Sequence, residues 1–257
     1  MTGVQTCALP ILIGSFANVC VHRLPRGESV VAPRSRCPRC GAAVLGRDNL
    51  PVLSYALLHG CCRCCRAAIS LRYPLVEALN GALYVAAALA FGPTSRALVV
   101  MGLLTALLVL GLIDFDHHLL PDAITRPGIA AGLVASLLPG APGLLAAGTA
   151  AALGYTGCWA VASVARRVYG QEALGQGDWK MVAMLGAFLG GERMLLAVFL
   201  ATLAGSVIGL VLVLLSRLGR RDPIPLGSFL ALGGMVAALG GETLLDAYRG
   251  FWGGLVG

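Results

Sequence analysis

Residues 97–122, ALVVMGLLTALLVLGLIDFDHHLLPD, decide the fold. Positions 97–113 are almost wholly apolar and nearly long enough to cross a membrane as a helix. The ten residues at positions 113–122 then hold three carboxylates and two histidines. Polar groups packed this densely where an apolar segment ends are costly unless they meet water or take part in chemistry. We therefore predict a membrane helix that ends in half of an active site, and a second acid from a distant part of the chain at the same depth.

The composition of the whole chain is that of a membrane protein. Of the 257 residues, 58% are hydrophobic and 12% are charged, and the mean hydropathy is +0.83, far from the values of soluble domains. The chain is therefore predicted to be an all-α polytopic membrane protein with about eight transmembrane helices. Besides 97–113, the apolar segments are residues 12–21, 75–91, 124–138, 143–165, 179–190, 193–216 and 226–248.

The N-terminus is unusual. The first eleven residues, MTGVQTCALPI, match one reading frame of a common short-read sequencing adapter. We therefore expect residues 1–11 to be a non-native leader and residues 12–21, about half a membrane span, to be the remnant of a truncated first transmembrane helix. The alternative is a genuine short N-terminus or a signal peptide.

Residues 22–73 form a polar, arginine-rich stretch, which predicts a small extramembrane domain followed by a membrane domain over residues 74–257. Six of the nine cysteines lie in this stretch, and C-x-x-C pairs in a basic loop favour a four-thiolate structural zinc site over disulfides. One pair is Cys37 with Cys40. Spacing leaves the second pair open between two alternatives, Cys61 with Cys64 and Cys62 with Cys65.

The basic residues predict the orientation in the membrane. If the apolar segments alternate in direction, 16 of the 19 Lys and Arg residues fall on one side, and only Arg96, Arg193 and Arg249 fall on the other. This bias places the loops 22–73, 114–123, 166–178 and 217–225 in the cytoplasm. The net charge of +7 therefore indicates contact with membrane lipid and requires no nucleic acid.

The second acid is predicted to be Asp178, within Gly175-Gln176-Gly177-Asp178-Trp179-Lys180. It opens an apolar segment on the cytoplasmic side, where a helix N-terminus holds a carboxylate well. Two neighbouring carboxylates can share one proton, so that one activates water while the other polarises a carbonyl group, as in aspartic proteases. The alternative is that Asp114 and Asp178 only cap helices or pair with basic residues.

Several ordered motifs resemble those of prepilin peptidases, the membrane-embedded aspartic leader peptidases of type IV pili and type II secretion. The resemblance extends from about residue 12 to the last helix. The motifs are residues 14–19 (GSFANV), 22–25 (HRLP), the C-x-x-C pairs, 72–77 (RYPLVE), 113–122 (IDFDHHLLPD), 175–180 (GQGDWK) and 223–227 (PIPLG).

The resemblance implies that Asp114 and Asp178 are the catalytic acids of a bacterial inner-membrane enzyme. The enzyme would cut the basic leader from prepilins or pseudopilins after a glycine, at the cytoplasmic face. Asp116 is implied to be a supporting residue and stays the alternative catalytic acid, whereas His117 and His118 are expected to be solvated or hydrogen-bonded. Further supporting residues are Gly175, Gly177, Lys180, Pro121 and Asp122.

The resemblance also bears on the cofactors. It favours Cys62 and Cys65 as partners of Cys37 and Cys40 at the zinc ion, and leaves Cys61 and Cys64 without a role. Relatives with this cysteine domain are often bifunctional, so S-adenosylmethionine-dependent N-methylation of the new N-terminus is expected as a second activity. The competing interpretations are a proton-coupled transporter and a non-catalytic zinc-ribbon scaffold.

Overall fold

A computed structural model describes residues 3–32, 36–37, 39–43, 53–170, 175–215 and 225–256 of the chain. The described residues are helical apart from turns and two isolated β-bridges. The chain divides into two compact units, Met1–Leu89 and Ala90–Gly257.

The first unit begins with helix α1 (Gly3–Arg23), which continues into a 3-10 turn at Leu24–Arg26. Its other helices are the short α2 (Leu53–Leu57) and α3 (Arg72–Phe91). Helices α1 and α3 pack closely, since a Cβ atom added at Gly14 would lie 3.1 Å from Glu77 Cα. Asn18 in α1 donates to the carbonyl of Tyr73 in α3 at 3.1 Å.

The second unit contains six helices among the described residues, and each forms on an apolar segment identified in the sequence. The helices are α4 (Ser95–His117), α5 (Asp122–Ala135), α6 (Leu144–Tyr169), α7 (Gln176–Leu189), α8 (Gly191–Leu214) and α9 (Leu226–Val256).

Helix α7 lies at the centre of this second unit. Ten of its fourteen residues are buried, and it packs against α5, α6, α8 and α9. The approach to α6 is close, because a Cβ atom at Gly186 would lie 2.7 Å from the backbone of Ala150. Small residues of this kind allow backbones to approach one another in lipid-embedded bundles.

Within the part of the chain that the structure describes, five helices are long and apolar enough to cross a membrane: α3, α4, α6, α8 and α9. The shorter α5 and α7 have 14 residues each, about 21 Å of helix, against a hydrocarbon core of about 30 Å. The all-helical membrane architecture is therefore confirmed, and the count of eight spans remains a prediction.

Candidate active site and cysteine cluster

Asp114 lies in the last turn of α4 and is 6% exposed. The helix ends at His118, which adopts the left-handed conformation (φ 53°) and donates its N–H to the carbonyl of Asp114 at 2.8 Å. Asp116 is exposed, because two residues turn a helix by about 200°. The end of α4 thus directs Asp114 into the protein and Asp116 away from it.

The carboxylate of Asp114 is held by the N-terminal turn of α9. Its Oδ2 atom accepts the backbone N–H of Ser228 at 2.7 Å and lies 3.2 Å from Ser228 Oγ. The first N–H groups of a helix have no partner within the helix, and they favour a negative charge. A Cβ atom at Gly227 would lie 2.8 Å from Asp114 Cγ, so this approach requires glycine.

Asp178 is the third residue of α7 and is 8% exposed. Its Oδ2 atom accepts the N–H of Gly175, the residue that precedes the helix, at 3.1 Å. This hydrogen bond holds the carboxylate against the N-terminus of α7. Burial, and after it the negative charge of Asp114, raise the pKa of Asp178 to about 6. Among the described residues, Asp114 and Asp178 are the two buried acids, and they interact electrostatically.

The connection from α4 to α5 contacts the first turns of the two helices that hold the aspartate pair. Pro121 precedes α5, and Asp122 at its start accepts a hydrogen bond from Lys180 of α7 at 2.5 Å and pairs with Arg126 at 2.7 Å. The bond from Lys180 lowers the pKa of Asp122. Leu120 lies against both Gly177 and Gly227, which precede Asp178 and Ser228.

Most of the residues predicted to support the site lie next to the aspartate pair, whereas Asp116 is exposed. Gly175 donates to Asp178, Gly177 contacts Leu120, and Lys180 pairs with Asp122. Sequence reasoning missed Ser228 and Leu120. Ser228 directly follows the quoted PIPLG motif, but no local pattern links it to Asp114, 114 positions earlier.

Four cysteines meet in the first unit, and we call them the cysteine cluster: Cys37, Cys40, Cys62 and Cys65. Their sulfur atoms lie within 4.8 Å of one another, and those of Cys37 and Cys65 are 3.8 Å apart. Four ligands at about 2.3 Å around a tetrahedral zinc ion would have sulfur–sulfur distances of about 3.8 Å. Backbone hydrogen bonds from Cys40 and Arg39 lower the pKa of Cys37 to about 6, whereas desolvation and the neighbouring sulfur atoms raise the pKa of Cys40 to about 12.

The cluster is built from two similar turns, which we call the first knuckle (residues 36–43) and the second knuckle (residues 61–68). In each, the N–H of the first cysteine donates to the carbonyl five residues later at 2.8 Å, and an isolated β-bridge closes the turn. Cys62 therefore occupies the position that Cys37 occupies in the first knuckle. Cys61 instead forms the bridge with Ala68.

Comparisons with known proteins show which family the chain belongs to. The family model described as Bacterial Peptidase A24 N-terminal domain matches residues 9–91, and that of the Type IV leader peptidase family matches residues 101–210. A protein of Burkholderia pseudomallei (strain 1026b), named prepilin leader peptidase/N-methyltransferase, is 40% identical over 261 residues, which cover 91% of this chain and 84% of that protein. The chain belongs to the type IV leader peptidase family.

Other members of this family carry the same name. The Pseudomonas aeruginosa protein is 36% identical over 271 residues, covering 96% of this chain and 93% of its own length. The Myxococcus xanthus protein is 40% identical over 215 residues, covering 84% of this chain and 64% of its own length. No solved structure gives a significant match.

Family membership settles the class of protein. The chain is an enzyme of an aspartic peptidase family and a multi-pass membrane protein with a cysteine cluster suited to a metal ion. The transporter and scaffold interpretations are therefore set aside.

Proposed function

We propose that Asp114 and Asp178 are the catalytic residues that remove the leader peptide from type IV prepilins or type II secretion pseudopilins. The observation that carries this assignment is that they are the two buried acids of the described residues and lie close enough to interact. Each is held by the first turn of a helix, Asp114 by α9 and Asp178 by its own α7. The names of the relatives support the prepilin substrate.

The hydrogen bonds assign different roles to the two acids. The backbone N–H of Ser228 donates to Asp114 Oδ2 at 2.7 Å. The Ser228 hydroxyl lies 3.2 Å from the same oxygen and 2.9 Å from the carbonyl of Gly111, so its single proton has two acceptors within reach. With the backbone donor in place, Asp114 is assigned as the ionised member. Asp178 has a pKa raised to about 6 and one backbone donor, so it is the member that takes up the shared proton as the pH falls towards about 6. Such a division of one proton between two carboxyl groups is the basis of aspartic protease chemistry.

Hydrolysis then proceeds in two steps. Asp114 takes a proton from water as the oxygen adds to the scissile carbonyl carbon, and Asp178 gives its proton to the carbonyl oxygen, which forms a tetrahedral diol. In the second step Asp114 gives its proton to the leaving nitrogen and the carbon–nitrogen bond breaks. Asp178 takes back a proton from the diol, so the pair returns to its starting state.

The site is proposed to face the cytoplasm. The three arginines outside the predicted cytoplasmic side lie at the end of the second unit opposite the aspartate pair. All three are paired with acids there: Arg96 with Glu242 at 2.6 Å, Arg193 with Glu242 at 3.4 Å, and Arg249 with Glu192 at 2.5 Å. Only these three of the 19 Lys and Arg residues fall outside the predicted cytoplasmic side. The positive-inside rule counts Lys and Arg residues, so it favours a cytoplasmic location for the end with the aspartate pair.

We extend this proposal to the domain boundaries and the span count. Residues 22–73 are proposed to form the cytoplasmic domain and residues 74–257 the peptidase domain, in a chain with about eight spans. The short α5 and α7 both begin beside the aspartate pair, so they enter the membrane from the cytoplasmic side. Membrane lipid is the proposed environment, and nucleic acid has no proposed role.

The cysteine cluster is proposed to hold one structural zinc ion. Its sulfur geometry fits a tetrahedral ion, and four thiolates leave no position for a substrate. Zinc bound there would stabilise the knuckles, since such small domains lack a large hydrophobic core.

N-methylation of the cleaved product with S-adenosylmethionine is proposed as a second activity because the relatives are named for it.

The test is cleavage of a prepilin in detergent or liposomes with a labelled methyl donor, followed by mass analysis of the product's N-terminus. We expect Asp114→Asn and Asp178→Asn to abolish cleavage while the protein still inserts and folds. Asp116→Asn is the matched control and keeps measurable activity. Cleavage that survives in either of the first two variants would remove that residue from the mechanism.

A further inference from the structure

The side chain of Leu120 lies between the two helix ends that carry the aspartate pair. A Cβ atom added at Gly177 would lie 2.8 Å from Leu120 Cβ and 3.3 Å from its Cδ1. A Cβ atom at Gly227 would lie 3.0 Å from the same Cδ1. Leu120 therefore contacts the backbone directly before Asp178 and directly before Ser228, the residue that holds Asp114.

We propose that Leu120 is a positioning residue whose side chain sets the distance between the N-terminal turns of α7 and α9, and thereby the alignment of Asp178 with Asp114. This inference rests on the proposed role of the aspartate pair. The N-terminal turns of α7 and α9 both carry partial positive charge and therefore repel each other weakly. They lie far apart in the chain, so their separation is set by the side chain that packs between them.

The loop that carries Leu120 is itself held in place on both sides. His118 is bonded to the last turn of α4, and Asp122 is bonded to Lys180 of α7 at 2.5 Å. Because glycine lies at both contacts, the leucine meets backbone atoms and no flexible side chain can absorb a change in its size. A smaller side chain at position 120 would therefore change the relative position of the two helix ends.

Leu120 is only partly buried, so its truncation is expected to disturb alignment more than folding. The test compares Leu120→Ala with Leu120→Met and with Leu119→Ala, a truncation of the adjacent leucine. In prepilin cleavage, we expect Leu120→Ala to lower kcat by about tenfold to a hundredfold, as misplacement of catalytic groups does. Leu120→Met should restore kcat to within about threefold of the original enzyme, because methionine fills a similar volume.

The pH dependence of kcat separates alignment from loss of folded protein. Asp178 faces Asp114 on α4 and Cys158 on α6, and Lys180 on its own helix is paired with Asp122. A changed distance to Asp114 alters the repulsion on Asp178, so the pH at which activity falls should shift in Leu120→Ala and stay unchanged in Leu120→Met and Leu119→Ala.

Two results would overturn the role of Leu120: an unchanged kcat in Leu120→Ala, or a lower kcat with an unshifted pH profile and a matching loss of folded protein. Asp114→Asn, assayed in parallel, keeps the two proposals distinct. If Asp114→Asn is inactive and Leu120→Ala is normal, only the role of Leu120 fails. If Asp114→Asn is active, the aspartate pair itself is wrongly assigned.

Discussion

The carboxylate of Asp114 and the backbone N–H of Ser228 form a 2.7 Å hydrogen bond between residues that are 114 positions apart. The bond joins the C-terminal end of α4 to the N-terminal end of α9 and places a helix N-terminus against a buried acid. A helix N-terminus is a favourable site for a negative charge. The ionised state of Asp114 therefore depends on how closely α9 can approach it.

Gly227→Ala is expected to reduce prepilin cleavage by about a hundredfold or more. The added Cβ would lie 2.8 Å from Asp114 Cγ and 3.0 Å from Leu120 Cδ1, so either the acid or the start of α9 must move, and small displacements at a reacting centre are costly. Gly240→Ala on the same helix is the control, because its Cβ would meet nothing within 4 Å. Equal activity in the two variants would contradict this account.

Asp178→Asn is expected to make the inactive enzyme more stable than the original one at about pH 8. The pKa of Asp178 is raised to about 6 in the folded protein, against about 3.9 for an unperturbed aspartate, a difference of about 2 units or about 3 kcal/mol. Ionisation of the folded state carries this cost in full above about pH 6 and not at all below about pH 4. Asparagine never ionises, so it avoids the cost.

Thermal unfolding at several pH values measures this effect. The melting temperature of Asp178→Asn should exceed that of the original enzyme at about pH 8, and the gap should close as the pH falls towards about 4. A gap that stays constant across this range would show that burial of the charge is not its cause.

The zinc content of two cysteine variants should show whether Cys61 or Cys62 binds the metal. We expect Cys62→Ser to lose the metal, because its sulfur lies in the cysteine cluster, and Cys61→Ser to keep about one zinc per chain. The two variants make the same chemical change at neighbouring positions, so each serves as the other's control. Metal analysis of purified protein reads out the result, and loss of zinc in Cys61→Ser alone would show that the second pair is Cys61 with Cys64.

Arg66→Gly is expected to stabilise the second knuckle by about 1 kcal/mol. Arg66 adopts a left-handed conformation (φ 56°), as does Gly41 (φ 71°) at the matching position of the first knuckle, and this region disfavours residues with a Cβ atom. Resistance to a zinc chelator and the melting temperature measure the gain. Gly41→Ala should have the opposite effect, and Arg63→Gly, at a residue without positive φ, should give no gain.

The sequence by itself determined which segments are helical and that they belong in a membrane, since apolar length is a property of one segment at a time. Spacing along the chain also indicated the pair Cys37 and Cys40, and the resemblance to prepilin peptidases selected Asp114 and Asp178 as the candidate acids. Each of the seven apolar segments after residue 74 forms a helix, and six of these helices begin and end within four residues of the predicted bounds, whereas α9 runs eight residues past its predicted end at position 248.

Only the tertiary structure decided which groups meet. The contact of Ser228 with Asp114, the position of Leu120 between two glycines, and the meeting of Cys62 with Cys37 all join residues from separate elements. Such contacts depend on how helices and turns pack in three dimensions, which hydrophobic spacing along one segment does not record. Sequence therefore identified the two catalytic candidates, and packing determined which groups hold each of them in place.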